Sequence, residues 1–391
     1  MIKFHEALSI VEQVSFRVAT ERVPLKKAVG RVLAEEVFSD MDMPPFNKSA
    51  VDGYACRLSD LSMELEVLEI VPAGKTPEKK VSEGTCIKIM TGAPVPEGAD
   101  AVIMVEDVEE TGPNKIRYLK DKVKDNICLT GEDIRKGDLM LTPGTLLKPQ
   151  HIAVLASVGV TEPRVYRKVQ VGIISTGDEL VEPSVKPAPA QIRNSNAWQL
   201  YAQVLEMGAI PDYIGIAEDN EESTRKKIVR ALEGNDVVLL TGGVSMGDYD
   251  YVPKVMKDLG LELKFDSIAV QPGRPTTFAA RQRQFVFGLP GNPVSSFVQF
   301  NMLVKPFIYL LSGHKYRPVM VRTGLATDYN RKKSTRMGLV PVRLNDDYEA
   351  VPLEYHGSAH INAYVDADGF MIVPMGVQTI KKGESADIRL I

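Results

Sequence analysis

A turn rich in glycines and acids follows directly on an apolar segment in the second half of the chain. The apolar run DVVLL (236–240) leads without a break into TGGVSMGDYDYVP (241–253), which carries Asp248 and Asp250. A β-branched apolar run is typical of a strand buried on both faces of a parallel sheet, and ligands bind beyond the carboxyl ends of such strands. Because glycine lets the backbone approach a phosphate and carboxylates hold the accompanying Mg²⁺, the pattern predicts a nucleotide or phosphate site.

Three further segments could carry related chemistry. STGDEL (175–180) also follows a strand-like run, and its Asp178 either contributes to a site or caps the next helix. LPGNPVSS (289–296) begins an apolar helix, whose first N–H groups either bind an anion or bind nothing. In QPGRP (271–275), Arg274 is either a fork of donors for a tetrahedral oxyanion or an ordinary solvated arginine. Because two turns with glycines and acids, STGDEL and TGGVSMGDYDYVP, are expected in one sheet, a ligand site is favoured over helix capping alone.

Other polar segments have no clear meaning from residue chemistry alone. They are VDGY (51–54), TGAP (91–94), GEDI (131–134) and RKKSTR (331–336). Loop acids and turn residues account for the first three, and the basic segment is either a solvated loop or a contact for an anion. The sequence also has no GxGxxG after a strand, no GxxxxGK[ST], no HExxH and no GxSxG. These absences disfavour a NAD dehydrogenase, a P-loop NTPase, a zincin and an α/β-hydrolase.

The composition is that of an ordinary globular protein. Of 391 residues, 44% are apolar and 25% charged, and the formal net charge of −4 argues against a nucleic-acid partner. No run of about 18 apolar residues predicts a membrane span, and MIKFHEA (1–7) lacks the apolar region of a signal peptide. Three widely spaced cysteines fit reduced thiols better than disulfides. We therefore expect a cytoplasmic protein.

Hydrophobic periodicity predicts the elements that position these segments. Helices are expected near the N-terminus, from Phe4 to Val14, over Leu25–Val37 and over Pro149–Ser157. Strands alternating with helices from Val169 onward predict a parallel sheet with βαβ crossovers, and its last helix covers Pro293–Leu311. The predicted domains are an N-terminal helical and linker region (1–45 and 145–168), a β-rich inserted domain (46–144), an α/β domain (169–313) and a small β-rich C-terminal domain (314–391).

Seven segments, in order, resemble the molybdopterin molybdenumtransferase family, called MoeA in bacteria and the gephyrin E domain in animals. They are PPFNKSAVDGYA (44–55), IMTGAPVPEGAD (89–100), GEDI (131–134), STGDEL (175–180), TGGVSMGDYDYV (241–252), QPGRP (271–275) and LPGNPVSS (289–296). The resemblance implies a multidomain α/β plus β fold in a homodimer. A central molybdopterin-binding three-layer α/β domain with a mostly parallel sheet joins an N-terminal helical region, a β-rich inserted domain and a C-terminal β-barrel.

The resemblance also implies the reaction and its residues. Molybdate is inserted into adenylylated molybdopterin, and AMP is released with the help of Mg²⁺. The implied catalytic residues are Asp52, Thr91, Asp133, Asp178, Glu179, Asp219 and Asp250, with Asp219 and Asp250 as Mg²⁺ ligands. Asp52, Thr91 and Asp133 are expected to complete the site from the second subunit. The implied pterin and oxyanion contacts are Ser175, Thr176, Gly177, Gly242, Gly243, Ser245, Gln271, Arg274, Pro275, Gly291, Asn292, Ser295, Arg336 and Ser358.

The chain departs from the family pattern in the oxyanion loop, and other functions are open. Many relatives carry Lys where Gln271 and Arg274 stand. Arg274 keeps the positive charge, whereas Gln271 loses it, so weaker oxyanion binding or a different oxyanion preference, such as tungstate, is an alternative. Arg193 adds an unassigned positive charge near the expected pterin site. A molybdopterin adenylyltransferase, a CinA-type pyrophosphatase and a gephyrin-like scaffold are the rival functions. An adenylyltransferase that hands over the pterin nucleotide is the expected partner.

Overall fold

The computed structural model describes residues 1–122, 124–243, 251–354, 357 and 359–391. The chain divides into two compact units. The larger unit comprises Met1–Glu35, Pro143–Pro149 and Glu162–Ile391, and the smaller unit comprises Glu36–Thr142 and Gln150–Thr161. Each unit has its own sheets and its own buried apolar clusters.

A six-stranded sheet forms the centre of the larger unit. Its spatial order is Ile210–Ala217, Gln170–Thr176, Val237–Thr241, Gln284–Leu289, Thr277–Arg281 and Glu262–Phe265. The first four strands are parallel, and Thr277–Arg281 runs antiparallel to both its neighbours. The mostly parallel sheet predicted from the alternation of strands and helices is therefore confirmed.

Helices cover both faces of this sheet. Successive residues of one strand, Ile173 and Ile174, belong to two different buried clusters, because successive side chains of a strand point to opposite faces of the sheet. One cluster includes residues of the helices Ser195–Glu206 and Pro293–Gln299, and the other includes residues of Glu221–Gly234 and Val252–Asp258. This gives the three layers that were expected.

The apolar segment after residue 292 forms a long buried helix in three parts. They are the α-helix Pro293–Gln299, the π-helical turn Phe300–Val304 and the α-helix Lys305–Leu311. Phe307 packs edge-on against Phe278, Phe285 and Phe287 of the sheet. By length and hydropathy Pro293–Leu311 could cross a membrane, yet 72% of its apolar 18-residue stretch is buried inside the protein, as in the core helix of a globular domain.

The N-terminal region contains one of the two predicted helices. Phe4–Glu12 is helical, as predicted, but Leu25–Val37 is not. That segment has only a 3₁₀ turn at Leu25–Lys27, and Val37 begins the short strand Val37–Phe38. Its backbone instead bonds to distant segments: Gly30, Leu33 and Ala34 donate to the carbonyls of Leu147, Thr145 and Arg164. These non-local bonds outweigh a helical pattern that also contains Gly30 at φ +76°.

A second sheet occupies the C-terminal part of the larger unit. Its strands are Val270–Gln271, Met337–Leu344, Gly369–Val373, Ser385–Leu390 and Met320–Gly324, and Ala350–Pro352 pairs with the second of them. The predicted β-rich C-terminal region is thus present. Shorter elements of this unit are Thr20–Arg22, Arg164–Tyr166, Leu180–Val181, Ile192–Arg193, Tyr329–Asn330, Thr379–Ile380 and the 3₁₀ turn Ile361–Tyr364.

The smaller unit is β-rich, as predicted. Its six-stranded sheet has the order Ala101–Met104, Gly53–Cys56, Thr85–Ile89, Glu64–Val71, Lys115–Tyr118 and Val108–Gly112. Two short ladders pair Lys48–Ser49 with Ile127–Cys128 and Val37–Phe38 with Leu139–Leu141. The remaining elements are the 3₁₀ turns Leu58–Asp60 and Val105–Asp107, and the predicted helix Pro149–Ser157 lies where expected.

Candidate active site

A cavity of about 700 Å³ opens at the carboxyl ends of the parallel strands. The turns that follow the four parallel strands contribute to its lining, as expected for a ligand site in an open α/β sheet. The lining residues are Ser175, Thr176, Gly177, Glu179, Leu180, Ile192, Arg193, Asn194, Ser195, Asn196, Asp219, Thr241, Gly242, Gly243, Pro275, Pro290, Gly291, Asn292, Pro293 and Ala359. Ten of these were predicted from the sequence as site residues, all within the α/β domain: Ser175, Thr176, Gly177, Glu179, Asp219, Gly242, Gly243, Pro275, Gly291 and Asn292.

The STGDEL turn places two acids beside each other across neighbouring strands. The backbone N–H of Asp219 donates to Asp178 Oδ1 at 3.0 Å, and the N–H of Asp178 donates to Asp219 Oδ2 at 3.3 Å. Asp178 does not cap the next helix, because that helix begins at Ser195 and is capped by the Asn194 side chain. The capping alternative for Asp178 is therefore wrong. Asp178 is exposed and outside the cavity lining, whereas Glu179 and Asp219 line it.

The paired glycines after Val237–Thr241 pack against the end of the adjacent strand. Gly242 and Gly243 have φ of +90° and +60°. A Cβ atom on Gly242 would lie 2.5 Å from the carbonyl oxygen of Thr176, so a larger residue would displace the turn. The Thr176 hydroxyl is buried, with no hydrogen-bond partner among the described residues. The predicted site residues Ser245 and Asp250 lie outside the described residues, as does Asp248.

Asn196 joins the LPGN turn to the end of the strand that precedes the paired glycines. Its Nδ2 donates to Thr241 Oγ1 at 2.8 Å and to the carbonyl of Gly291 at 2.6 Å. Asn196 was not predicted as a site residue, although an asparagine at the start of a helix within QIRNSN was a visible signal. In the helix that follows the LPGN turn, Ser295 is buried in the first turn and lies outside the cavity lining. The Ser296 hydroxyl, also buried, has no partner in the described part of the chain.

The QPGRP loop lies between the cavity and the C-terminal sheet. Pro275 lines the cavity, while the Arg274 side chain is exposed and makes no ion pair with any described residue. Gln271 pairs with Gly338 of the C-terminal sheet and lines a separate cavity of about 190 Å³. Arg336 donates to the carbonyl of Val270 at 3.3 Å, which brings this predicted residue to the beginning of the loop. Ser358 lies outside the described residues.

In the smaller unit, two predicted site residues form a pair. The backbone N–H and the hydroxyl of Thr91 both donate to Asp52 Oδ1, at 2.7 Å and 2.8 Å. These hydrogen bonds, the backbone one first, lower the pKa of the Asp52 carboxyl from its ordinary value. The segments VDGY and TGAP, which are 39 residues apart, are thus one structural feature.

The loop before VDGY also holds the GEDI turn in place. The N–H groups of Gly131 and Asp133 donate to the carbonyls of Pro44 and Met43, both in the diproline loop. Asn47 of the same loop accepts from the N–H of Thr130 at 2.9 Å. Asp133 is exposed. The segments around Asp52, Thr91 and Asp133 are therefore held together in one group of loops.

The carboxylates near the cavity of the larger unit supply some, but not all, of the ligands that a Mg²⁺ ion needs. Carboxylate oxygens are the ligands that Mg²⁺ prefers, and Asp178, Glu179 and Asp219 bring three of them to one turn region. No group of three acidic, histidine or cysteine side chains with metal-site geometry occurs in the described ranges, which do not include Asp250. The residues present thus fit one or two carboxylate contacts to Mg²⁺ of the kind that accompanies a phosphate substrate.

Comparison with known sequences identifies matches along nearly the whole chain. Residues 2–159 match the MoeA N-terminal region (domains I and II), residues 172–309 match a probable molybdopterin binding domain, and residues 323–391 match the MoeA C-terminal region (domain IV). The cavity described above belongs mainly to the second of these regions, and Asp52, Thr91 and Asp133 belong to the first.

Similar proteins of established name match over the same extent. A molybdopterin molybdenumtransferase of Bacillus subtilis is 35% identical over 386 residues, covering 95% of this chain and 90% of that protein. A molybdopterin molybdenumtransferase of Haemophilus influenzae is 34% identical, covering 99% and 98%. The crystal structure of the MoeA protein from Pyrococcus horikoshii OT3 covers 100% of both chains with a TM-score of 0.87 and 33% identity. This chain belongs to the molybdopterin molybdenumtransferase (MoeA) family.

Proposed function

We propose that this protein inserts molybdate into adenylylated molybdopterin and releases AMP, as a step of molybdenum cofactor biosynthesis. The observation that carries the proposal is the cavity at the carboxyl ends of the parallel strands, where glycine turns and carboxylates meet. It lies in a chain whose relatives match it from end to end, including the flanking regions that an adenylyltransferase does not need. The full-length match also disfavours the other alternative functions.

In this proposal, the acids of the cavity serve the phosphate end of the pterin nucleotide. Asp219 and Asp250 would hold Mg²⁺, which supplies positive charge to the phosphate group when bound. Asp178 supports Asp219 through the reciprocal backbone hydrogen bonds, and Glu179 contributes a further carboxylate to the cavity. The glycines 177, 242 and 243 leave room for the substrate to approach the backbone.

The molybdate ion needs surroundings of opposite charge. A tetrahedral oxyanion is bound by guanidinium groups, hydroxyls and backbone N–H groups, and carboxylates repel it. We assign it to the QPGRP loop beside the cavity, where Pro275 lines the cavity and Arg274 is exposed, with Ser295 and, from the C-terminal region, Arg336 and Ser358 as further contacts. Arg274 supports this assignment because its exposed guanidinium has no ion-pair partner among the described residues. Gln271 brings no positive charge to the oxyanion, and this loss is the reason to compare molybdate with tungstate as substrates.

The proposal extends to the assembly of the site. Asp52, Thr91 and Asp133 belong to the smaller unit, and we assign them to the active site of the second subunit in a homodimer. The proposed location is the cytoplasm, and an adenylyltransferase is the proposed supplier of the pterin nucleotide.

The test is release of AMP by the purified protein. Adenylylated molybdopterin is incubated with Mg²⁺ and with molybdate, tungstate or neither, and AMP is measured by chromatography. We expect AMP release that depends on the oxyanion. A parallel reaction with ATP and free molybdopterin distinguishes the two functions, because an adenylyltransferase would consume ATP and a molybdenumtransferase would not. No release of AMP in the presence of either oxyanion would contradict the proposed function.

A further inference from the structure

Arg193 is the one basic residue among the described residues that line the cavity. The other charged lining residues are Glu179 and Asp219. A cavity that takes a phosphate ester while presenting two carboxylates needs a compensating positive charge. The side chain of Arg193 is exposed, so it lies at the open side of the cavity.

Only one of the nitrogens of the Arg193 guanidinium makes a hydrogen bond to a described residue. Its Nε donates to the carbonyl of Val185 at 3.3 Å, and the residue makes no ion pair in the part of the chain that the structure describes. The hydrogen bond fixes the inner edge of the guanidinium, while the two terminal amino groups have no partner there. Two parallel N–H donors match two oxygens of a phosphate group, which is the geometry in which arginine binds phosphates most strongly.

The backbone that carries Arg193 is held in place by hydrogen bonds on both sides. The N–H of Ile192 donates to the carbonyl of Glu179, and the N–H of Asn194 donates to the carbonyl of Val181, each at 2.8 Å. These bonds tie the segment to the STGDEL turn, which itself lines the cavity. The backbone position of Arg193 relative to the STGDEL turn is therefore set before a ligand binds.

A partly buried chain of polar groups reinforces this position. The Ser175 hydroxyl donates to Asn194 Oδ1 at 3.0 Å, Asn194 Nδ2 donates to the Tyr213 hydroxyl at 3.0 Å, and that hydroxyl donates to Glu182 at 2.6 Å. Burial, followed by the hydrogen bond to Glu182, raises the pKa of Tyr213 well above its ordinary value, so the phenol remains a donor at neutral pH. The chain joins the strand end, the loop and the helix cap around Arg193 without using the Arg193 side chain.

We propose that Arg193 binds the diphosphate of the pterin nucleotide through a bidentate contact and so determines specificity for the phosphorylated substrate. This inference rests on the proposed function, because that function supplies the diphosphate. The diphosphate, and not molybdate, is the assigned ligand because Arg193 lies in the same cavity wall as the STGDEL turn and its acids. The exposed arginine of the oxyanion loop, Arg274, lies outside that cavity lining.

The test compares anion binding by wild type, Arg193→Ala and Arg193→Lys in calorimetric titrations with inorganic pyrophosphate and, separately, molybdate. The matched control is Arg322→Ala, because Arg322 is an exposed arginine on a strand of the C-terminal sheet, outside the cavity lining. The only tryptophan, Trp198, gives a second reading by fluorescence, since its ring lies 5.4 Å from that of Tyr213. Because Arg193 is exposed, its variants should unfold at the wild-type temperature.

We expect Arg193→Ala to weaken pyrophosphate binding at least about tenfold, or roughly 1.4 kcal/mol, with molybdate binding unchanged. Arg193→Lys should bind pyrophosphate with an intermediate affinity, because it keeps the charge and loses the fork. Arg322→Ala should bind both anions like wild type. Equal pyrophosphate affinity in wild type and Arg193→Ala, an equal loss for molybdate, or no pyrophosphate binding by wild type would each overturn the proposal.

The role of Arg193 and the proposed function can fail independently in these experiments. Pyrophosphate titration needs no turnover, so it tests Arg193 even if the protein releases no AMP. If AMP is released, Arg193→Ala should raise the KM for adenylylated molybdopterin at least about tenfold and change kcat much less, as expected for a residue that binds substrate and transition state equally. A loss confined to kcat would contradict a substrate-binding role.

Discussion

Thr91 gives two hydrogen bonds to a single carboxylate oxygen of Asp52, and this pair defines the chemistry available to that acid. Both donors stabilise the charged form, so the pKa of Asp52 is lowered and the group is a carboxylate at neutral pH. A carboxylate with a lowered pKa accepts hydrogen bonds or contacts a cation more readily than it donates a proton. At the residue scale, Asp52 is therefore fixed in both charge and orientation.

The pair can be tested by titrating Asp52. We expect its pKa to lie below the ordinary value of about 3.9 in wild type and to rise in Thr91→Val, which removes the hydroxyl donor and keeps the backbone one. Because the folded-state pKa is depressed, the stabilisation from this group is present above the unfolded-state pKa and is lost as the pH falls through the folded-state pKa. Carboxyl ¹³C NMR measures both values, and an equal pKa in the two proteins would contradict the assigned cause.

A second prediction at this scale concerns Arg274. Replacing it by alanine removes an exposed guanidinium that has no ion-pair partner among the described residues. We expect the molybdate concentration needed for half-maximal AMP release to rise by about ten- to a hundredfold, the range for one lost charge-assisted contact. Arg322→Ala serves as the control with an unchanged requirement. An unchanged requirement in Arg274→Ala would place the oxyanion elsewhere.

At the scale of elements, the cavity depends on turns that are fastened to one another at the strand ends. Asn196, in the first turn of the helix Ser195–Glu206, bonds to Thr241 and to the carbonyl of Gly291. Thr241 Oγ1 in turn donates to the carbonyl of Pro290 at 3.3 Å. One side chain thus joins a helix, a strand end and the LPGN turn, and it is nine-tenths buried.

Removing this side chain should loosen the turns. We expect Asn196→Ala to lower the free energy of unfolding by about 1–3 kcal/mol, because buried acceptors lose their donor. The control is Gln199→Ala in the next turn of the same helix, where the side chain makes, within the described part of the chain, only a long 3.5 Å hydrogen bond to Gln203. Urea denaturation measures both changes. Equal stabilities of Asn196→Ala and Gln199→Ala would show that Asn196 does not join these elements.

Several elements could be predicted because the sequence pattern that specifies them is local. The buried strand before TGGV and the apolar helix after LPGN have long periodic or continuous apolar runs, and the structure confirms both. The segment Leu25–Val37 was predicted wrongly because its hydrogen bonds go to residues more than a hundred positions away. The Asp52–Thr91 pair could not be predicted from residue chemistry either, because the two residues are 39 positions apart and only the fold brings their side chains together. The resemblance to the MoeA family implied that both residues belong to the site, but it did not predict the hydrogen bonds between them.

At the scale of the whole molecule, the acids belong to two different units. Asp219 lies in the larger unit, and Asp52 lies in the smaller unit with Thr91 and Asp133. The proposed homodimer makes each site from the larger unit of one subunit and the smaller unit of the other. Symmetric dimers of this kind contain two equivalent sites.

Mixing two inactive variants tests that arrangement. We expect Asp52→Asn and Asp219→Asn each to release little AMP alone. If each site combines the two residues from different subunits, random mixed dimers contain one intact site, and activity should return to about a quarter of the wild-type value. Dimers are verified by light scattering before and after mixing. Mixtures that stay as inactive as the separate variants would contradict a site shared in this way.

The most direct measurement is the stoichiometry of one reaction. Protein, Mg²⁺, adenylylated molybdopterin and isotopically labelled molybdate are mixed, and AMP and pterin-bound molybdenum are counted in the same sample. The proposed function predicts equal amounts of the two products, with both absent when Asp219 is replaced by Asn. AMP released without molybdenum bound to the pterin would show hydrolysis of the nucleotide alone and would contradict the insertion of molybdenum at this site.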